Sequence, residues 1–249
     1  MSIKPEIVVA NDADAVAATA AQRITDAAGQ AIAARGQFTL VLSGGRTPEA
    51  TYGILARANP PIAIDWSRTF LFFGDERFVP HDDPRSNFRM AKRCLLARST
   101  VPVANVFPIA TDLESPAACA ADYARRMAEF FDVSPDDPPP AFDLILLGLG
   151  DDGHTASLFP GAAALDENRE WVTRSPPGTL PPPVDRVTMT YPLINAAREV
   201  MFLVTGANKH VPLTEVLQRQ VEPSVRPAAG VRPAHGKLIW IIDHAAAGA

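Results

Sequence analysis

Apolar runs of strand length recur along this chain, and each is followed at once by a polar segment. Phe38–Leu42 leads into Ser43-Gly44-Gly45-Arg46-Thr47-Pro48, and Thr69–Phe73 into Gly74-Asp75-Glu76-Arg77. Residues 142–147 lead into Gly148-Leu149-Gly150-Asp151-Asp152-Gly153-His154, and 200–205 into Gly206-Ala207-Asn208-Lys209. A final run over 238–242 ends at Asp243. Helix-patterned stretches over 49–57, 87–96 and 116–131 lie between most of them. Uninterrupted apolar strands alternating with helices predict an α/β fold with a mostly parallel sheet covered on both faces. In such sheets ligands bind outside the carboxyl ends of the strands. The four glycine-bearing segments are therefore expected to meet at one edge of the sheet.

The first run, 7–10, precedes a long Ala-rich helix that Asn11 or Asp12 can cap and Gly36 can stop. Val16, Ala20, Ile24, Ala27, Ala31 and Ile32 form its apolar stripe. Three proline-rich stretches, 135–140, 176–183 and 223–233, are too short for disordered linkers. They read as ordered loops of one domain over residues 1–249, the second folding over the site. A net charge of −5 argues against nucleic acid as a partner, because affinity there comes from Lys and Arg neutralising phosphates. An anionic ligand must then be held by a local site. Cys94 and Cys119 form no C-x-x-C pair, and the opening Met1-Ser2-Ile3-Lys4-Pro5-Glu6 has no apolar signal core. Every apolar run is too short to span a membrane. The cytoplasm is the expected address.

The Ser43–Pro48 segment carries the features of an anion site. Thr47 suits an N-cap and Pro48 the first helical position, and the glycines admit close backbone approach. A helix start offers free N–H groups and a positive dipole end. The alternative is an ordinary tight strand–helix turn. No Gly-Lys-Ser/Thr follows, so this is not a nucleoside-triphosphate loop. Gly148 to Gly153 match G-x-G-x-x-G formally. Asp151 and Asp152, however, would oppose a pyrophosphate, and Pro160 would interrupt the helix that must follow. His154 is the better functional group there, with Asp152 two residues away to fix its tautomer. The other reading is a histidine that only satisfies loop backbone. Arg77 can grip phosphate or a carbonyl oxygen gaining charge, unless Asp75, Glu76 and Arg77 are a surface ion cluster. Lys209 can reach an anion as a point charge, or be a plain surface lysine. No G-x-S-x-G elbow is present, and His81, Asp82 and Asp83 lack the spacing of a metal site. No metal and no cofactor are expected.

These segments together resemble the 6-phosphogluconolactonase family. The resemblance rests on residues 42–48, 73–80 with 86–90, 147–161, 186–190 and 206–209, in the family's order. It implies a Rossmann-like three-layer α/β/α sandwich, a fold shared with glucosamine-6-phosphate deaminase and ribose-5-phosphate isomerase. It also implies hydrolysis of a phosphorylated sugar lactone, the second step of the oxidative pentose phosphate pathway. By similarity Ser43, Gly44, Gly45, Thr47 and Lys209 match the sugar-phosphate site. His154 matches the catalytic base with Asp152 beside it, and Arg77 a substrate-binding arginine. Asp75, Asn87 and Arg186 lie in family blocks and join the substrate-binding set. Arg46 stands where many relatives have a small polar residue, and either adds a phosphate contact or faces solvent. The implied partner is a small phosphorylated lactone, not nucleic acid or membrane. A monomer or weak dimer remains open. The nearest rival, a deaminase on the same fold, would carry Asn-Glu shortly after the histidine, where residues 155–160 supply no carboxylate. A non-catalytic sugar-phosphate sensor would need a DNA-binding segment, and none is visible.

Overall fold

A computed structural model describes residues 4–57, 64–134, 136–178, 183–218 and 221–249. The chain begins with β1 (Glu6–Ala10) and α1 (Ala13–Arg35), then β2 (Phe38–Leu42), α2 (Arg46–Leu55), β3 (Thr69–Phe73), β4 (Asp75–Arg77) and α3 (Asn87–Cys94). It continues with α4 (Pro116–Phe131), β5 (Leu144–Gly148), β6 (Val172–Ser175), β7 (Arg186–Met189) and α5 (Tyr191–Ala196). It closes with β8 (Glu199–Val204), α6 (His210–Leu217), β9 (Lys237–Asp243) and α7 (His244–Ala247).

Six strands form one sheet in the order β1-β9-β8-β5-β2-β3, with every pairing parallel. β2 and β3 run outward to one side, and β5, β8 and β9 to the other. The winding therefore reverses between β2 and β5, and a ligand crevice is expected there. All residues of β2 are buried, while the edge strand β1 exposes Ile7 and Val9. The register sets Phe202 opposite Trp240, and their rings stack with centroids 3.8 Å apart. Burying such a side chain is worth about 1.5–3 kcal/mol, so the central pairing is also a packing contact. α1 crosses β1, β2, β8 and β9, with α2 beside it and α3 beside α2. Phe130 and Phe131 of α4 pack on Phe72 of β3. Helices thus cover the sheet, as the alternation required. Among the described residues, no helix is long and apolar enough to cross a membrane.

Local signals account for most element ends. The Asp12 carboxylate accepts from Ala15 N at 2.8 Å and starts α1, and Gly36 ends it at φ 79°. The stripe of α1 buries Val16, Ala20, Ile24 and Ala31, with Ala27 and Ile32 half-buried against the core. The helices α2 and α3 differ from expectation. α2 starts at Arg46, not Glu49, and its cap is Gly45 rather than Thr47. Gly45 sits at φ 110°, a conformation that favours glycine, so the chain enters the helix two residues earlier than a Thr cap would dictate. Pro48 consequently occupies the third helical position. α3 ends at Cys94, and a 3-10 turn covers Leu96–Arg98.

The larger correction concerns Asp75–Arg77. These residues are not a loop at the sheet edge but the strand β4 of a second, three-stranded antiparallel sheet, β4-β7-β6. Gly74 makes the transition: its N–H donates to Leu42 O and its carbonyl accepts from Met189 N, at 3.0 and 2.8 Å. A three-residue strand carrying three charges has no apolar period to reveal it. Of the proline-rich loop 176–183, residues 179–182 lie outside the described residues, so its folding over the site does too. Gly178 packs on Phe159.

Candidate active site

The turns after β2, β5 and β8 lie side by side because those strands are neighbours in the sheet, and β4 and β7 supply a further wall. Together they enclose a cleft of 630 Å³. Ser43, Gly44, Gly45, Arg46, Thr47, Asp75, Arg77, Asn87, His154, Arg186 and Lys209 all line it. Asp152 stands behind His154 rather than in the wall.

The first turn is pinned from below. Tyr52 of α2 is fully buried, and its hydroxyl accepts from Ser43 N at 2.8 Å and donates to Ser43 O at 2.9 Å. Burial pushes this phenol well above its ordinary value. α2 then begins beneath the cleft, where its first N–H groups have no intrahelical acceptor. Thr47, inside that first turn, shares a hydrogen bond of 2.9 Å with Thr205 at the end of β8. Gly44 is needed for close approach: a Cβ there would lie 2.2 Å from Asn87 Oδ1.

Asn87, Asp75 and Ser157 form a buried strut. Asn87 Nδ2 donates to the Asp75 carbonyl at 2.9 Å, and Ser157 Oγ donates to Asp75 Oδ2 at 2.5 Å. Asp75 therefore borders the cleft while tying the β5 loop to the small sheet. Glu76, on the opposite face of β4, caps α3: its carboxylate accepts from Asn87 N and Phe88 N, both at 2.7 Å. Burial pushes the Glu76 carboxyl up, against those donors, which pull it down.

Arg77 and Arg186 are register partners across β4 and β7, so their side chains share one face. Arg77 Nη1 donates to Arg85 O at 2.5 Å, whereas its Nε is buried with no partner among the described residues. Arg186 donates to Val184 O at 3.0 Å and lies 5.8 Å above the Phe159 ring. Burial, with Arg77 nearby, lowers the Arg186 guanidinium below its usual value, and Asp75 opposes that shift.

The β5 loop closes on itself. Gly150 N donates to His154 O at 2.8 Å, and Gly153 N to Gly150 O at 3.0 Å. Asp152 Oδ1 then accepts from His154 N at 3.0 Å and faces His154 Nδ1 at 2.6 Å. With Nδ1–H donating to the carboxylate, Nε2 is the basic nitrogen. Burial raises the Asp152 carboxyl, but the hydrogen bond and charge of His154 outweigh it, and the net shift is downward. Arg226 supports the loop from outside the cleft, donating to the Asp152 carbonyl at 3.0 Å and to Glu215 at 2.6 Å.

Gly206 opens a 3-10 turn over Ala207–Lys209 before α6, rather than an α-helix directly. Asp151 accepts from Asn208 Nδ2 at 2.7 Å and from Lys209 Nζ. These partners of Asp151, the Ser157 strut and Arg226 were not legible in the sequence. A carboxylate beside the Asp152–His154 pair and a lysine after another strand were the available signals, but only sheet order makes them neighbours.

A profile of the family described as glucosamine-6-phosphate isomerases/6-phosphogluconolactonase matches residues 11–240. The chain belongs to this family. It is 45% identical over 217 residues to the 6-phosphogluconolactonase of Synechocystis sp., covering 87% of this chain and 86% of that protein. It is 40% identical over 219 residues to the human 6-phosphogluconolactonase, covering 86% and 81%. The solved 6-phosphogluconolactonase from Trypanosoma cruzi superposes with a TM-score of 0.88 at 30% identity, covering 100% of this chain and 97% of that one. The three-layer family fold is therefore the fold of this chain.

Proposed function

We propose that this chain, acting as one cytoplasmic domain, hydrolyses 6-phospho-D-glucono-1,5-lactone to 6-phospho-D-gluconate, the second step of the oxidative pentose phosphate pathway. The observation that carries the mechanism is the Asp152–His154 pair, 2.6 Å apart, in a cleft whose other walls are a glycine turn and four cationic side chains. The phosphate sits against residues 43–47 at the start of α2 and is gripped by Lys209. That anchoring presents the lactone carbonyl to His154, so a bimolecular attack becomes a positioned one.

Neutral His154 takes a proton from water at Nε2 as the water oxygen bonds to C1. Asp152 stabilises the imidazolium that forms. Arg77, whose Nε has no acceptor among the described residues, steadies the tetrahedral oxyanion, and Arg186 holds the sugar from the same face. The C1–ring oxygen bond then breaks, and the proton on Nε2 passes to the ring oxygen. The product acid ionises in water. A lactone is an activated ester, so this sequence needs no covalent intermediate.

The test is His154→Asn, assayed on lactone generated in situ from glucose 6-phosphate and compared with the spontaneous rate. Turnover falls about 10²–10⁴-fold, the usual worth of a general base. A folded variant retaining nearly full activity would remove His154 from the reaction.

A further inference from the structure

Arg46, Arg77, Arg186 and Lys209 all border the cleft. Lys209 is distinctive in how it is held. Its ammonium is ion-paired with Asp151, a cleft residue of the neighbouring β5 loop, and Asn208 Nδ2 donates to the same carboxylate oxygen at 2.7 Å. The lysine side chain is 19% exposed and that of Asp151 52%, so the carboxylate lies on the solvent side of the pair. The Asp151 carboxylate therefore holds one donor of the Lys209 ammonium on the solvent side, where an incoming anion competes with it. It is dispensable for holding the histidine, because that role falls to Asp152 through its own contacts.

We propose that Asp151 is a specificity-determining residue: a built-in carboxylate that stands in for the substrate's phosphate and must be displaced from Lys209 before the ligand is gripped. This rests on the phosphate end of the cleft proposed above. Displacing a tethered monoanion gives little gain to a ligand that itself brings one charge and two oxygens. A phosphate ester brings about −1.5 to −2 charges and three acceptor oxygens at neutral pH, and so wins the exchange. The same competition weakens the grip on the product, which carries the same phosphate, and so favours its release. Asp151 thereby exchanges raw affinity for discrimination in favour of dianions.

The test is a double-mutant cycle with Asp151→Asn and Lys209→Met, using 6-phosphogluconate for binding and kcat/KM for the lactone. Because kcat/KM needs no saturation, the cycle closes even where Lys209→Met binds weakly. With Lys209 present, Asp151→Asn should tighten 6-phosphogluconate and raise kcat/KM about 3- to 5-fold, the upper part of the range for a half-exposed charge pair. In the Lys209→Met background the gain in kcat/KM should shrink below about 2-fold, since no ammonium remains to be released. An equal gain in both backgrounds would mean simple repulsion of the ligand by Asp151, and would overturn the proposal. No gain in either would overturn it as well. If the parent protein neither bound 6-phosphogluconate nor turned over the lactone, the proposed reaction itself would fall, a result distinct from both.

Discussion

Replacing Gly150 with Ala is the sharpest probe of the proposed catalytic loop. A Cβ at this position would lie 2.0 Å from His154 Nδ1, 2.2 Å from its Cε1 and 2.7 Å from Asp152 Oδ1. Comfortable carbon contacts begin near 3.5 Å, so the imidazole must retreat by roughly 1–1.5 Å. The backbone cannot give way cheaply, because the hydrogen bonds of Gly150 to His154 and Gly153 close the turn. A bond of 2.6 Å between His154 and Asp152 would stretch past hydrogen-bonding range. Misplacement by about 1 Å costs about 10²-fold, and complete loss of the base about 10²–10⁴-fold, so kcat should fall within those bounds. KM should change less than about 3-fold, because the phosphate anchors belong to other loops. Overpacking costs about 1–3 kcal/mol, which lowers Tm by about 2–12 °C in a chain of this size and leaves it folded at 25 °C. Lactone hydrolysis, with circular dichroism melting as the folding control, measures all three. A folded Gly150→Ala protein with kcat within about 3-fold of the parent would refute the claim that this contact sets the position of the base.

Other changes probe the scaffold. Tyr52→Phe leaves Ser43 N–H and C=O buried without their partner; it should cost about 1–3 kcal/mol and raise KM severalfold, and an unchanged Tm and KM would show the clamp idle. Glu199, facing Lys237 across β8 and β9, has its carboxyl raised, chiefly by burial, with Lys237 and Arg23 pulling it down and Glu6 adding to the rise. A raised carboxyl holds its proton longer in the folded state, so its contribution is fully present below the ordinary Glu range and is lost as pH rises through the shifted value. Glu199→Gln should therefore be more stable than the parent at pH 7 and no more stable below about pH 4, as melting curves across that range would reveal. Gly29 is exposed inside α1 with open space at its Cβ, so Gly29→Ala should gain about 0.5–1 kcal/mol in denaturant unfolding; a loss would place an undescribed contact there.

The sequence by itself determined the parallel sheet, because β2, β3, β5, β8 and β9 are buried on both faces and must read as unbroken apolar runs. It also determined which turns line the cleft, since all parallel strands point their carboxyl ends one way. The Asp-x-His spacing brought a carboxylate within reach of an imidazole through local chain geometry alone. Tertiary structure decided everything that depends on who sits beside whom. The order β8-β5-β2 makes Thr205 a partner of Thr47 and Asp151 a partner of Lys209, 58 residues away. The small antiparallel sheet pairs Arg77 with Arg186, and Ser157 reaches Asp75 across 82 residues. Such contacts leave no period in the sequence, because a hydrogen bond between polar side chains constrains distance in space and not spacing along the chain.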